Sequence, residues 1–442
     1  MHRNCRELFR GLNPLLPLII VLLALGGCTS LQRLDAVPED QTTEANIPEV
    51  PGSRYWPDLD PVPLFRDNLI SIDRETEFLA SQGSYPERLP PAYLLAISGG
   101  GDAGAFGAGL LAGWSEEGSR PQFKLVTGVS AGALIAPFAF LGPKYDETLR
   151  SVCSSIGPRN IFNPRNILAA LAGDGFADDT PLARLIEKYV TRDILAAIAQ
   201  EYARGRILLI GTTDLDSRQR VVWNMGAIAS SPDPRALLLF RKVMLASTAI
   251  PGIFPPVMID VEVNGKRYQE MHVDGGVMNQ VFLLPPFFIK KFEESRSVEA
   301  RERHVYIIRN GKLDPLWQPV PRRTTKVARR AIDALIDAQG VNDLYRLQVA
   351  AENAKEDFHV AYIGDEFSYP HSREFDPDYL RHLFTYAYTK AAQAAEWLPK
   401  IPAVTLSAWQ LERARSLARP VTSVAATVPP PGKSKDATHV NP

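Results

Sequence analysis

Hydrophobic positions fall into two alternating patterns from residue 92 onward. Short apolar runs suited to buried strands alternate with longer stretches in which apolar residues recur at helical spacing. Residues 93–98 (Y-L-L-A-I-S) read as a buried strand, and a Gly-rich loop and a helical pattern over 105–117 follow. Another apolar run at 123–126 leads through T-G-V-S-A-G into a helix-like run over 131–141. The chain then reads as helix-rich from 146 to 203, with Pro181 suited to a first helical turn. Residues 206–214 (R-I-L-L-I-G-T-T-D) form a strand pattern, with 220–223 placed to pair beside it, and 235–245 look helical. Further strand patterns occupy 267–273, 304–309 and 358–363, while 327–351 and 379–397 carry long helical patterns. Strands alternating with helices predict an α/β fold: a mainly parallel central sheet flanked by helices on both faces, in one domain over 90–400.

The ends of the chain follow other patterns. Arg3, Arg6 and Arg10 precede an apolar run at 12–25 that is too short for a comfortable span, the layout of a leader over 1–27. It closes on L-G-G-C, which resembles the lipobox of bacterial lipoproteins. That resemblance implies cleavage before Cys28, lipidation of Cys28, and a cell-envelope protein anchored without spanning. Thr29 in place of Asp after the cysteine implies an outer-membrane destination. Cys5 would leave with the leader and Cys28 would carry lipid, so Cys153 would remain without a disulfide partner. Residues 28–89 are rich in Pro, Asp, Glu and Ser, which predicts a tether with little regular structure. The segment 401–442, with Pro429, Pro430 and Pro431, is expected to be largely disordered apart from a short helix at 409–418. A formal net charge of −1 argues against a nucleic-acid footprint, which needs a basic excess.

Candidate chemistry centres on Ser130. Gly128 and Gly132 flank it as G-x-S-x-G between a strand and a helix, which suits a sharp nucleophile elbow beside the positive end of the following helix. A serine nucleophile needs a base and a site for the oxyanion. The loop S-G-G-G-D-A-G at 98–104 leaves backbone amides uncovered by side chains and offers that site. Gly99, Gly101 and Gly104 also fit the dinucleotide fingerprint G-x-G-x-x-G, but the acidic residue expected at the end of the next strand is replaced by the serine elbow. For the base, His359, His371 and His382 are late histidines in undistinguished settings. Asp274, in H-V-D-G-G with Gly275 and Gly276, lies at the end of a strand pattern. The proline-stiffened stretch A-S-T-A-I-P-G-I-F-P-P at 246–256 is suited to wall a pocket, and a carboxylate desolvated by such walls becomes a stronger base.

A Gly-rich loop, G-V-S-A-G, A-S-x-A-I-P-x-x-F-P-P and D-G-G occur here in the order found in patatin-like phospholipases, and R-I-L-L-I-G-T-T-D-L-D followed by V-V-W-N-M-G also resembles bacterial members. The resemblance covers about 92–309 and extends towards 397. It implies a lipid acyl hydrolase with Ser130 as nucleophile and Asp274 as its base in a dyad without histidine. It also assigns Gly99, Gly100, Gly101 and Gly104 to the oxyanion loop. Many patatins carry Arg or Lys where Ala103 stands, so any support from a basic side chain there is missing, and Asp102 beside it discourages anionic groups. Neither cofactor nor metal is required, and the expected partner is membrane lipid. Two other readings remain open at this level: a Ser-His-Asp esterase and a catalytically silent lipoprotein that binds lipid or protein. The cluster Arg322, Arg323, Lys326, Arg329 and Arg330 fits either a solvated helix face or a surface for anionic lipid.

Overall fold

The computed structural model describes residues 32–165, 173–284, 301–314, 317–371, 373–394 and 397–402. The leader, Cys28 and the helix expected at 409–418 lie outside the described residues, as does the tail beyond 402.

Among the described residues, nine strands form the main sheet: β1 (Arg54–Tyr55), β2 (Ala92–Ile97), β3 (Leu125–Val129), β4 (Ile207–Asp214), β5 (Gln219–Asn224), β6 (Val257–Val263), β7 (Lys266–Asp274), β8 (Arg303–Arg309) and β9 (Asp357–Tyr362). The order β9-β8-β2-β3-β4 is parallel throughout. Beyond it, β5 and β1 add antiparallel strands, and the β6–β7 hairpin joins antiparallel on the far end of β4. The sheet is therefore mixed, with a parallel centre, and the α/β expectation holds.

Both faces of the parallel strands are buried, as near-continuous apolar runs require. Leu95 and Ile97 of β2, Val126 of β3, and Leu208 and Ile210 of β4 point to one face. Their neighbours Leu94, Ala96, Leu125, Leu209 and Ile207 point to the other. The first face is covered by α2 (Gly104–Glu117), α3 (Ala131–Leu141), α5 (Arg192–Ala203), α6 (Ala236–Ser247) and α8 (Pro377–Ala392). On the second face Leu344 and Ala351 of the long helix α7 (Thr324–Ala354) cover the strands, together with Leu64 of α1 (Val62–Ser81). A short helix α4 (Asp146–Ser155) packs beside α2 and α8.

The tether expected over 28–89 is corrected in its described part. Residues 32–89 belong to the same compact unit as the sheet, so no boundary falls at 89. Ala45, Ile47, Val50 and Trp56 are core residues, α1 is twenty residues long, and β1 pairs with β5. The prolines that suggested a linker sit in turns and at the start of α1, positions that lack a hydrogen-bonding amide without loss. Arg54 anchors this strap through a two-pronged ion pair to Glu270 of β7, with both side chains almost completely buried. Burial alone would raise the Glu270 pKa, but Arg54 and His272 outweigh it and hold the carboxyl down at about 2.

Candidate active site

Register along one edge of β4 brings the two central side chains together. Over its first part β4 pairs with β3, ending with Val129 opposite Gly211. Where β3 turns away at Ser130, β7 takes over the same edge in the antiparallel sense, with Asp274 opposite Thr212. Residues next to Ser130 and at Asp274 thus oppose consecutive positions of β4, although 144 residues separate them in the chain (274 − 130). The Ser130 hydroxyl lies close enough to the Asp274 carboxylate to favour its ionised form.

The elbow has the geometry its pattern predicts. Ser130 sits at φ 53°, ψ −123°, a conformation rare for a residue with a side chain, and α3 begins at the next residue. A side chain at Gly128 would meet the Gly132 carbonyl at 2.5 Å, and one at Gly132 would meet the Ile97 carbonyl at 2.2 Å, so neither position accepts even alanine without backbone movement. The stretch 246–256 contributes more than an apolar wall. Ser247 accepts from the Ser130 amide at 3.0 Å and donates its hydroxyl to the Gly211 carbonyl at 2.7 Å, while the Ala249 carbonyl accepts from the Asp274 amide at 2.9 Å. One segment therefore fixes the backbone of both residues.

Asp274 is 5% exposed. Burial pushes its pKa up to about 7, against hydrogen bonds from Ser130 and from the Gly276 amide that favour the ionised form. Gly275 packs on the Gly211 carbonyl and Gly276 on the Gln280 side chain, so the Asp-Gly-Gly turn is closely packed on both sides.

The four glycines of the loop 98–104 divide into two kinds. The Gly99 amide is committed to the Gln280 carbonyl at 3.0 Å, and the Gly104 amide closes a helical turn on the Gly101 and Asp102 carbonyls. Gly99 lies against Ser130, where an added Cβ would stand 3.1 Å from that of the serine. Gly100, at φ 157°, passes so close to Asn310 that a Cβ would meet its carbonyl at 2.1 Å. Among the described residues the Gly100 and Gly101 amides have no hydrogen-bond partner, and Gly101 faces open space.

Three supporting residues escaped the sequence reading. Asn310 ties the loop to β8, donating from its backbone and side-chain nitrogens to Ser98 and accepting from the Gly107 amide. Gln280 braces Gly99 from one side and the Gly276 carbonyl from the other. Asp343 of α7 accepts from the Asn279 side chain and the Gln280 amide, at 3.0 and 2.8 Å. A polar N-Q pair separated from D-G-G only by Val277 and Met278 was the available signal for Gln280; Asp343 sits in a long helix and gives none.

The late histidines lie elsewhere. His359 stacks on Tyr306 in β9, and His382 hydrogen-bonds the Asp378 carbonyl on α8. His371 binds Asp102 at 2.7 Å, and that contact raises its pKa. Asp102 also accepts the Phe375 amide, so its carboxylate holds His371 and Phe375 against the glycine loop. Ala103 packs against the core. Among the described residues, Glu302, His304 and Asp357 form one cluster with metal-ligand spacing. It lies at the opposite end of the strands from Ser130, and both ring nitrogens of His304 already face the two carboxylates at 3.1 and 3.2 Å.

A buried serine on a strained elbow, beside a desolvated carboxylate and bordered by unpaired amides, defines a serine acyl hydrolase of α/β architecture. Residues 95–287 match the family model described as patatin-like phospholipase. That stretch, which holds the glycine loop, the elbow and the Asp-Gly-Gly turn, is similar to the family, and the chain is a lipid acyl hydrolase of the carboxylic ester type. Solved structures similar to the chain include VipD from Legionella pneumophila (13% identity, 71% of this chain and 68% of that one, TM-score 0.30). Others are the complex of SpcU with ExoU from Pseudomonas aeruginosa (13%, 71% and 55%, 0.29) and human GIVD cytosolic phospholipase A2 (12%, 64% and 51%, 0.31). The chain spans about half the length of the last two. No curated protein matches the chain significantly.

Proposed function

We propose that Ser130 and Asp274 form the catalytic dyad of this hydrolase and that its substrate is membrane lipid. Asp274 accepts the Ser130 proton as Oγ attacks the ester carbonyl. The resulting oxyanion is held by the Gly100 and Gly101 amides, with Gly99 and Gly104 setting the loop's shape. Collapse of the tetrahedral species breaks the ester bond, the leaving alcohol or lysolipid takes the proton back from Asp274, and the acyl group stays on Ser130. Water then gives its proton to Asp274 and attacks the acyl-enzyme, and as the acyl–Oγ bond breaks Asp274 returns the proton to Ser130 and the fatty acid leaves. A base must be ionised at working pH yet hold a proton well enough to remove it from serine, and a pKa of about 7 meets both demands. The observation that carries this reading is the buried Asp274 carboxylate brought beside Ser130 by consecutive positions of β4, with no histidine bonded to either among the described residues.

The mature protein is, in this reading, lipid-anchored through Cys28 in the bacterial cell envelope, at the outer membrane. Its support is the leader pattern with L-G-G-C and Thr29; among the described residues no helix is long and apolar enough to cross a membrane. Radiolabelled palmitate should enter the wild type and be absent from Cys28→Ala. Mass spectrometry of lipids after incubating the purified protein with membrane extract should show fatty acid and lysolipid accumulating with wild type and neither with Ser130→Ala. Equal products from both would remove Ser130 from the chemistry.

A further inference from the structure

Among the described residues, nothing covers the N-terminal half of α7. From Thr324 to Ala338 nearly every residue is exposed, whereas Gly340, Asp343, Leu344 and Ala351 further along are buried against the sheet and the site. Helical spacing places Val327, Ala331, Ala334, Leu335 and Ala338 on one exposed stripe, with Ala328 and Ile332 at its border. Leu335 is 71% exposed, Val327 52% and Ile332 44%, and Trp317 just before the helix is 88% exposed. A stripe of this kind on a solvated helix needs a partner, because scattered single exposures are ordinary but contiguous ones are not.

Charge identifies the partner. Residues 317–332 contain Arg322, Arg323, Lys326, Arg329 and Arg330 and no acidic residue, in a chain whose formal net charge is −1. The first acids of α7 are Asp333 and Asp337, and Asp337 is turned to Arg309 at the inner side. An apolar stripe with a cationic end and an exposed tryptophan is the makeup of a helix that lies in the headgroup region of an anionic bilayer. A polyanion such as nucleic acid would use the cations but leave the stripe unpaired.

The position of the helix fits that partner. Arg329 is paired with Glu374, next in the chain to Phe375, which Asp102 holds against the glycine loop. On the inner side Gln339 donates to the Met278 carbonyl and Asp343 holds Asn279 and Gln280, whose carbonyl receives the Gly99 amide. A bilayer seated on the exposed half thus lies beside the loop and turn that frame Ser130.

We infer that residues 317–338 dock the enzyme on anionic phospholipid bilayers and so present the site to its lipid. The inference rests on the lipid-hydrolase reading for its purpose, but its test does not. Amide hydrogen exchange is measured on the full chain carrying Cys28→Ala, alone and with vesicles of phosphatidylcholine with or without phosphatidylglycerol. Exchange over 324–338 should slow about tenfold with phosphatidylglycerol and change little with phosphatidylcholine alone. The triple variants Val327→Ser/Ile332→Ser/Leu335→Ser and Arg322→Glu/Arg323→Glu/Lys326→Glu should lose that protection and hydrolyse vesicle lipid about tenfold more slowly, while a soluble short-chain ester is hydrolysed within about twofold of wild type. Unchanged exchange over 324–338 in the presence of anionic vesicles overturns the inference. So does protection that depends on protein concentration without vesicles, which would assign the stripe to a second copy of the chain. Protection by anionic vesicles without hydrolysis of either ester would leave the docking surface standing and remove the hydrolase reading instead.

Discussion

The elbow at Ser130 and the hairpin that delivers Asp274 reach the same point by opposite routes. The elbow is built locally: a parallel strand, one strained residue and a helix, all within 125–141 and all in the middle of the sheet. The hairpin is built at long range. β6 and β7 pair with each other from Val257 opposite His272 to Val263 opposite Lys266, and only the last three residues of β7 reach β4. What holds that arm in register is a buried polar chain from the N-terminal strap. Arg54 grips Glu270, Glu270 meets His272 at 3.0 Å, and His272 meets Thr212, which also receives the Trp223 indole. A serine elbow can be encoded in six residues, whereas the carboxylate placed beside it depends on the whole fold.

The most severe way to break the comparison is at the reacting atoms. Ser130→Ala should lower lipid hydrolysis about 10⁴-fold or more and Asp274→Asn about 10³-fold or more, in steady-state assays with protein that remains folded by circular dichroism. Next comes the support of the hairpin. Arg54→Ala leaves the Glu270 carboxylate buried without its cation and should cost about 3–5 kcal/mol in chemical denaturation, a loss far above that of any exposed pair such as Lys266 with Asp35. A smaller effect concerns pH. The Asp274 carboxyl ionises near 3.8 in the unfolded chain and near 7 in the folded one, so between these values the folded state holds a proton that the unfolded state has lost. Stability contributed by this proton is full below about pH 3.8 and fades as pH rises through 7. Asp274→Asn should therefore be more stable than wild type at pH 8, by roughly 2–5 °C in thermal melts, while wild-type kcat/KM rises about tenfold per pH unit below 7 and levels above it. The mildest perturbation is at the hairpin tip. Asn264 and Gly265 both have positive φ, 51° and 78°, and Gly265→Ala should cost about 1 kcal/mol without changing the pH profile of the residual activity.

These differences explain what was legible in the sequence. The elbow, the glycine loop and the strands around them announced themselves because each is a local pattern of apolar runs and small residues. The D-G-G turn was visible as a motif, but nothing near Asp274 in the chain states that β7 enters the β4 edge where β3 leaves it. The strand β6 was overlooked although Asn264-Gly265 between two alternating runs is a strong hairpin signal. The segment 32–89 was misjudged because proline and charge content describe composition, whereas Ile47, Val50 and Trp56 are held in the core by pairing with distant strands. Gln280, Ser247 and Asp343 act on backbone amides and carbonyls, a role that any short polar side chain could announce and none does in particular.

The claim that a carboxylate alone serves Ser130 is tested most directly by the rate at which a fluorophosphonate modifies that serine, read as adduct mass on the peptide containing residue 130. The account predicts wild-type rates in His359→Asn, His371→Asn and His382→Asn and a loss of about 100-fold or more in Asp274→Asn. Undiminished labelling of Asp274→Asn, or labelling abolished by any one of the three histidine variants, would contradict it.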